Sequence, residues 1–345
     1  MSDALSARSD ATIPEILDSI RYLGVAEKLD IFNAATGGAI VLESRPAQLA
    51  ASGGEFTKMN RFKEISSLVN HMDEANPTGA IDTLKQEQAA GSTVYQAQRI
   101  GPVALNSDYA ITGQATPDQC VANLATQFAE QQLVTIRDNL LAAGVAAIAA
   151  MDTPSADYHI LDVARGKVTG AAVTATFSYL NTLRAKMGDR LSDIKTWVMP
   201  SAVYKDLIGD SLANYKVDQI AGTHLYREID ALFGGNLVVV DSPSLTEALT
   251  SSYPTEYFVL GLGKNALRAT ILHDSPVKQA VTLDTEVDSE MYRSNFYVEY
   301  AIAGMKYDQN PANPTNAELA TTANWDEDLD DHRQCPIVMG VFNAA

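Results

Sequence analysis

The run Gly261-Leu262-Gly263-Lys264-Asn265-Ala266 comes directly after the apolar Tyr257-Phe258-Val259-Leu260. Its G-x-G-x-x-A spacing can bring backbone N–H groups against a pyrophosphate at a helix N-terminus. That chemistry also needs a helix of about three turns, a following parallel strand and an acid about 20 residues further on. Pro276 arrives too soon for such a helix, and Asp284 and Glu286 sit in a polar, turn-rich stretch. A glycine-bearing β-turn is the favoured reading, and a dinucleotide-binding α/β enzyme is an alternative.

Other groups capable of chemistry are dispersed. His71, His159, His224, His273 and His332 show no H-E-x-x-H or paired ligand spacing. His332-x-x-Cys335 offers two ligands with no second pair to complete a tetrahedral site. Cys120 falls in the first turns of a predicted helix, where a dipole favours a thiolate, but no His or Lys stands beside it. Asp152, Asp157 and Asp162, or the run Asp326 to Asp331, supply oxygens without the spacing of a dedicated calcium loop. Phe56, Phe62 and Tyr95 could stack bases with Lys58, Arg61 and Lys63 beside them, although contact between subunits is the simpler use. We therefore assign no catalytic, cofactor-binding or metal-binding residue and expect no cofactor.

The elements that must position these groups are uneven along the chain. Up to about Ala51 the pattern reads as irregular, with one amphipathic turn around Ile16, Ile20, Leu23 and Leu29 and a break at Gly37-Gly38. From Gly53 to Ala110 loose alternation at 55–62 and 94–100, separated by Pro77-Thr78-Gly79, predicts a long two-stranded excursion with little core of its own. Thr116-Pro117-Asp118-Gln119 then opens a helix, with an N-cap hydroxyl, Pro at N1 and Gln at N3. Val121, Leu124, Phe128, Ile136 and Leu140 recur at helical spacing, and Gly144 is the expected end, giving a spine of roughly 40 Å at 1.5 Å per residue. A second helix opens at Thr176, carries Phe177, Leu180, Leu183 and Met187, and closes at Gly188-Asp189. A strand over 194–199, a helix from Ser201, and strands at 237–240, 257–260, 271–272 and 295–302 come next, so the class is α+β. The acidic run around Asp326 to Asp331 reads as a solvated loop.

Composition narrows the function. The 345 residues carry 43 Asp+Glu against 25 Lys+Arg, a net charge of -18, which excludes a basic nucleic-acid clamp. With 46% hydrophobic and 20% charged residues the chain can bury a full core, about two domains' worth. Two distant cysteines predict free thiols in a reducing compartment. Met1-Ser2-Asp3-Ala4-Leu5 lacks the pattern of a secretory signal, and Leu140 to Met151 is shorter than a membrane span, so a cytoplasmic protein that crosses no bilayer is expected.

Three stretches carry a resemblance. Ile111 to Asp118 is similar to a Gly/Asp-Pro lead-in to a spine helix whose end, at Gln131 to Gly144, runs into an Ala/Gly-rich connection. Phe177 to Asp189, followed by Trp197-Val198-Met199-Pro200-Ser201-Ala202-Val203-Tyr204-Lys205-Asp206-Leu207, looks like a helix, strand and "M-x-S-x-x-Y-x-x-L" helix. Leu232-Phe233-Gly234-Gly235-Asn236-Leu237-Val238-Val239-Val240-Asp241 resembles a "G-x-x-V-x-V-D" strand before a proline-bearing loop. Together, over about Gly53 to Asp308, they resemble the major capsid proteins of tailed bacteriophages, with the HK97-like fold. The resemblance implies an N-terminal arm over 1–49, an extension loop (a long β-hairpin) over 50–108, a peripheral domain with the spine helix over 109–173 and an axial α/β domain over 174–287. Residues 288–345 would return to the peripheral domain and add an acidic C-terminal extension, an extra surface strand or a cement-protein site.

The same resemblance implies a structural, non-enzymatic subunit. Copies would self-assemble into hexamers and pentamers of an icosahedral shell enclosing double-stranded DNA without gripping it. The expected partners are a separate scaffolding protein, a portal protein at one vertex and a cement protein, with assembly in the bacterial host cytoplasm. An encapsulin-like compartment shell shares the fold and stands as an alternative. Lys58, Lys63 and Asn295 have residue types suited to an inter-subunit cross-link, but no motif supports one and none is expected.

Overall fold

The structure, a computed structural model, describes residues 32–46, 59–62, 88–91, 93–106, 117–151, 159–164, 173–214, 236–247, 255–273, 279–284, 289–308, 313–329 and 332–343. In chain order the first half holds β1 (Ile40–Pro46), β2 (Met59–Phe62), β3 (Gln88–Gly91), β4 (Val94–Asn106), α1 (Pro117–Met151), β5 (Ile160–Asp162) and α2 (Phe177–Ala185). Next come β6 (Thr196–Met199), α3 (Ser201–Asn214), β7 (Asn236–Val239), β8 (Thr246–Glu247), β9 (Glu256–Leu262) and β10 (Leu267–His273). The chain ends with β11 (Gln279–Asp284), β12 (Ser289–Ile302), β13 (Met305–Tyr307), α4 (Asn316–Leu319), β14 (Trp325–Glu327) and β15 (Ile337–Asn343).

Two sheets share α1 as their cover. In the five-stranded sheet β12 is the long central strand, flanked by β10 and β11 on one side and β4 on the other, with β1 parallel to β10 at the edge. Its residues alternate: Leu267, Ala269 and Ile271 of β10 and Phe296, Val298, Tyr300 and Ile302 of β12 are buried on the side of α1. That is the period-two signature of a sheet whose apolar residues gather on one face, with the paired Thr270 and Glu299 buried on the other. The six-stranded sheet runs β5-β15-β9-β6-β7, with β8 on β9. Here both faces are covered. Val198, Leu260, Leu262, Ile337, Met339 and Val341 join the core around α1, while Trp197, Met199, Val259, Val338 and Phe342 pack with Leu180, Leu183, Val203 and Leu207 of α2 and α3. Every residue of β15 is consequently buried.

Helix α1 has 35 residues, roughly 52 Å at 1.5 Å per residue. Leu124, Phe128, Ile136 and Leu140 are buried as their spacing predicts, with Gln127, Glu130 and Gln131 exposed between them. Gly144 does not end the helix. A Cβ there would lie 3.1 Å from a Leu267 methyl, so the glycine is an interior point of close approach to β10. The helix runs on because Ala146, Ala147, Ile148 and Met151 keep an apolar face to bury. The apolar stretch is therefore longer than expected: Ala122–Met151 has the length and composition to cross a membrane, but its buried face is spent on the two sheets. Thr116 lies outside the described residues, so the predicted capping box is not described.

Four further expectations change. The first 51 residues are not uniformly irregular, because Ala39, Ile40 and Leu42 are core and β1 pairs along its length with β10. The Gly37-Gly38 break is real, with both residues at positive φ. Met59–Phe62 pairs with Gln88–Gly91 as a separate two-stranded sheet, whereas the 94–100 stretch pairs with β12. Beyond Gln309 the chain is no surface addition: β15 lies between β5 and β9, and Leu319 and Trp325 are buried against α1. Trp325–Glu327 of the acidic run is strand β14, paired with β13, and not a loop.

The packing of α1 predicts a sharp contrast. Leu141→Ala should lower unfolding free energy by about 2–5 kcal/mol. Val134→Ala, on the exposed face, should stay within about 0.5 kcal/mol. Urea denaturation of both variants checks this.

Candidate functional site

The glycine run was the strongest chemical signal, and the structure gives it a packing role. Gly261 lies inside β9, where a Cβ would meet Val338 Cγ2 at 2.7 Å and Trp197 Cζ3 at 2.9 Å. A Cβ on Gly263 would meet Pro336 Cβ at 2.7 Å, and the Gly263 N–H donates to the Pro336 carbonyl at 2.7 Å. Asn265 turns the chain at φ 54 and its N–H donates to the Gly38 carbonyl at 2.9 Å. Beyond Ala266 the chain enters strand β10 and not a helix, so no helix N-terminus faces these amides. The dinucleotide-binding alternative falls on that point. The glycines let β9 press against β6 and β15 and then pass the chain into the other sheet.

Two of the five histidines meet. The rings of His159 and His332 stand edge to face, with centroids 5.6 Å apart. His159 Nδ1 donates to the Ile337 carbonyl at 2.7 Å, which fixes the tautomer and leaves Nε2 as a buried lone pair without a hydrogen-bond partner. Burial holds the pKa of His159 below its ordinary value, and the positive charge of neighbouring His332 and Lys186 acts in the same direction, against the opposing effect of the Ile337 carbonyl. His71 and His224 lie outside the described residues, as do Asp152, Asp157, Phe56, Lys58 and Lys63. Cys335 is a buried free thiol donating to the Ala303 carbonyl at 3.3 Å. Among the described residues no three His, Cys, Asp or Glu side chains are grouped to hold a metal. Tyr95 stacks on Tyr297 at 5.7 Å, and Asn295 accepts from Arg99 Nε at 3.0 Å.

Two motifs read separately in the sequence come together here. Asp241, after β7, accepts the Ser201 N–H at 2.8 Å and so caps α3 from across the sheet. Hydrogen bonds from the Ser201 backbone and hydroxyl hold the Asp241 carboxyl below the usual carboxylate range. β6 and β7 pair in parallel over Thr196–Met199, which places the two motif ends side by side. One grouping escaped sequence reasoning. Gln96, Asn139 and Tyr300, all buried, and Asn316, exposed at the start of α4, form a hydrogen-bonded cluster joining β4, α1, β12 and α4. The signal that could have found it was Asn139, an amide three residues after Ile136 on the mostly apolar buried face of α1.

No buried acid–base pair or cradle emerges from these groups; the ordered polar features join one element to another. A family model described as Gp13-like, "Major capsid protein 13-like", matches residues 20–339. The chain belongs to the Gp13-like family of major capsid proteins.

The solved capsid of Ralstonia phage GP4 is similar in fold, with TM-score 0.52 and 11% identity over 89% of this chain and 87% of that one. The capsid of Cyanophage Pam1 is similar with TM-score 0.53 and 10% identity over 90% and 92%. At such identity the likeness speaks for the fold, α+β and HK97-like. No curated protein matches the sequence. This capsid protein is thus a structural subunit of a phage shell and not an enzyme, built to associate with copies of itself in the virion.

Two measurements probe the site. Gly261→Ala should destabilise the capsid protein by about 1–3 kcal/mol through overpacking against Trp197 and Val338, seen as a lowered midpoint in thermal unfolding. The pH dependence has a defined sign. His159 is neutral in the folded chain at a pH where the unfolded chain already binds a proton, so stability is fully present above about pH 6.5 and declines as pH falls. His159→Gln should flatten that decline between about pH 6.5 and 5, by urea titration at several pH values.

Proposed function

We propose that this capsid protein forms hexamers and pentamers that close an icosahedral shell around double-stranded DNA. Assembly takes place in the bacterial host cytoplasm with a separate scaffolding protein and a portal at one vertex, and a cement protein is a further partner. In this reading 1–49 is the arm, 50–108 the extension loop, 109–173 the peripheral domain, 174–287 the axial domain and 288–345 the return. The observation that carries it is the β2–β3 pair: it lies in the chain between β1 and β4 and pairs with no other described strand, as expected of a segment whose contacts lie on a neighbour. Many modest contacts of that kind, repeated around a ring, give stability by avidity. The charge of -18 supports an acidic wall that repels the polyanion it encloses.

Electron microscopy of the purified protein, alone and co-expressed with its neighbouring genes, tests the reading. Closed shells of uniform diameter or rings of six are expected, and compact monomers under every condition would overturn it. Because like-charged subunits repel over a Debye length of about 30 Å at 0.01 M salt and only about 3 Å at 1 M, light scattering should show assembly rising with ionic strength.

A further inference from the structure

The carboxamide cluster is the best-built polar feature outside the proposed contacts. Three N–H donors converge on Asn316 Oδ1: Gln96 Nε2 at 2.8 Å, Gln98 Nε2 at 3.2 Å and Asn139 Nδ2 at 3.1 Å. Gln96 Oε1 in turn accepts from Gln98 Nε2 at 2.7 Å and Asn139 Nδ2 at 3.3 Å, while Gln96 Nε2 also donates to the Pro314 carbonyl at 3.0 Å. At the sheet edge Asn313 Oδ1 accepts the Ala97 N–H at 2.9 Å, a backbone group that β12 does not take. The same short segment is anchored at its other end. Thr315 and Glu318 close a capping box around α4, Leu319 is buried, and Trp325 Nε1 donates to the Leu319 carbonyl at 2.9 Å.

We propose that residues 313–319 are a strap that fixes the outer edge of β4 and fastens it to α1. Strand β4 is the next described strand of that sheet after β1, following the β2–β3 pair in the chain, so the strap holds the chain against the spine just after that pair. The strap lies within one chain and holds whether or not that pair reaches a neighbour. The joint is built from amides, which do not titrate, with only the Tyr300 hydroxyl beside them. Burial pushes the Tyr300 pKa up, so that group too stays neutral. The amide joint therefore keeps its strength across pH and salt. Glu318 is the group of the strap that titrates: its carboxylate accepts from the Thr315 N–H and hydroxyl and is held below the usual carboxylate range by them.

An internal control lies on the same helix face. Gln132, two turns before Asn139, is equally buried, yet neither of its amide atoms has a hydrogen-bond partner. Removing an unsatisfied buried amide is neutral or favourable, whereas removing a satisfied one leaves its partners unpaired.

Hydrogen exchange on the full chain, read by mass spectrometry, tests the strap. Asn316→Leu should speed exchange at residues 94–99 by about tenfold and leave β9 and β15 unchanged, the pattern of local opening. Asn316→Asp should keep the protection, because three converging donors suit a carboxylate oxygen. Gln132→Leu should change nothing at 94–99. Unchanged exchange at 94–99 in Asn316→Leu, an equal rise in β9 and β15, or an Asp variant indistinguishable from the Leu variant would each overturn the proposal. Should Asn316→Leu fail to fold, Asn313→Ala at an exposed position removes only the acceptor for Ala97. Faster exchange confined to that amide is then expected, and its absence refutes the strap.

Discussion

Everything in this subunit is arranged around one constraint, that a 35-residue helix has to bury a continuous face. A helix of that length cannot be covered by one sheet of ordinary strand length, since five or six residues of strand span roughly 17–20 Å. Two sheets and the C-terminal segment therefore share it. Leu267 and Val298 come from one sheet, Leu260 and Val341 from the other, and Leu319 and Trp325 from the tail. The tight contact of Gly144 with Leu267 fixes the distance of β10 from the helix, and the packing on the opposite face of the six-stranded sheet depends on where that sheet is held.

Periodicity revealed much of this, and the reason is visible residue by residue. Leu124, Phe128, Ile136 and Leu140 mark a buried helical face because burial acts on every turn. Thr176 announces α2 because its hydroxyl accepts the Tyr179 N–H at 3.4 Å, a bond within four residues of chain. Long-range choices were less legible. Nothing local tells β4 to pair with β12, nearly 200 residues later, in place of β2, and nothing local places the tail strand β15 between β5 and β9. Gly144 has the look of a helix stop and is an interior contact, a distinction made only by Leu267. Gly261 and Gly263 match a phosphate cradle in spacing, and their actual neighbours, Trp197, Val338 and Pro336, are remote in sequence.

Charge plays a restrained part within the subunit. Of the described ion pairs, Lys306–Asp326 at 3.6 Å is largely exposed, and Arg137–Asp138 and Glu43–Arg268 are partly so, the class of pair that contributes little. A chain of charge -18 gains internal cohesion from apolar burial and neutral hydrogen bonds, and among the described acids Glu256 and Glu299 are buried. Asp241 shows how an acid is used structurally: it sits exposed at the end of β7, where the first amide of α3 needs an acceptor.

The passage from Gly263 to Ala266 is the shortest bridge between the two sheets. Four residues reach at most about 14 Å when fully stretched, and here they are already bent through Asn265 and tied to Gly38 and Pro336. What slack the bend leaves is held by those two hydrogen bonds. For the two sheets to draw apart at this point, the chain would first have to give up the Gly263–Pro336 or the Asn265–Gly38 hydrogen bond.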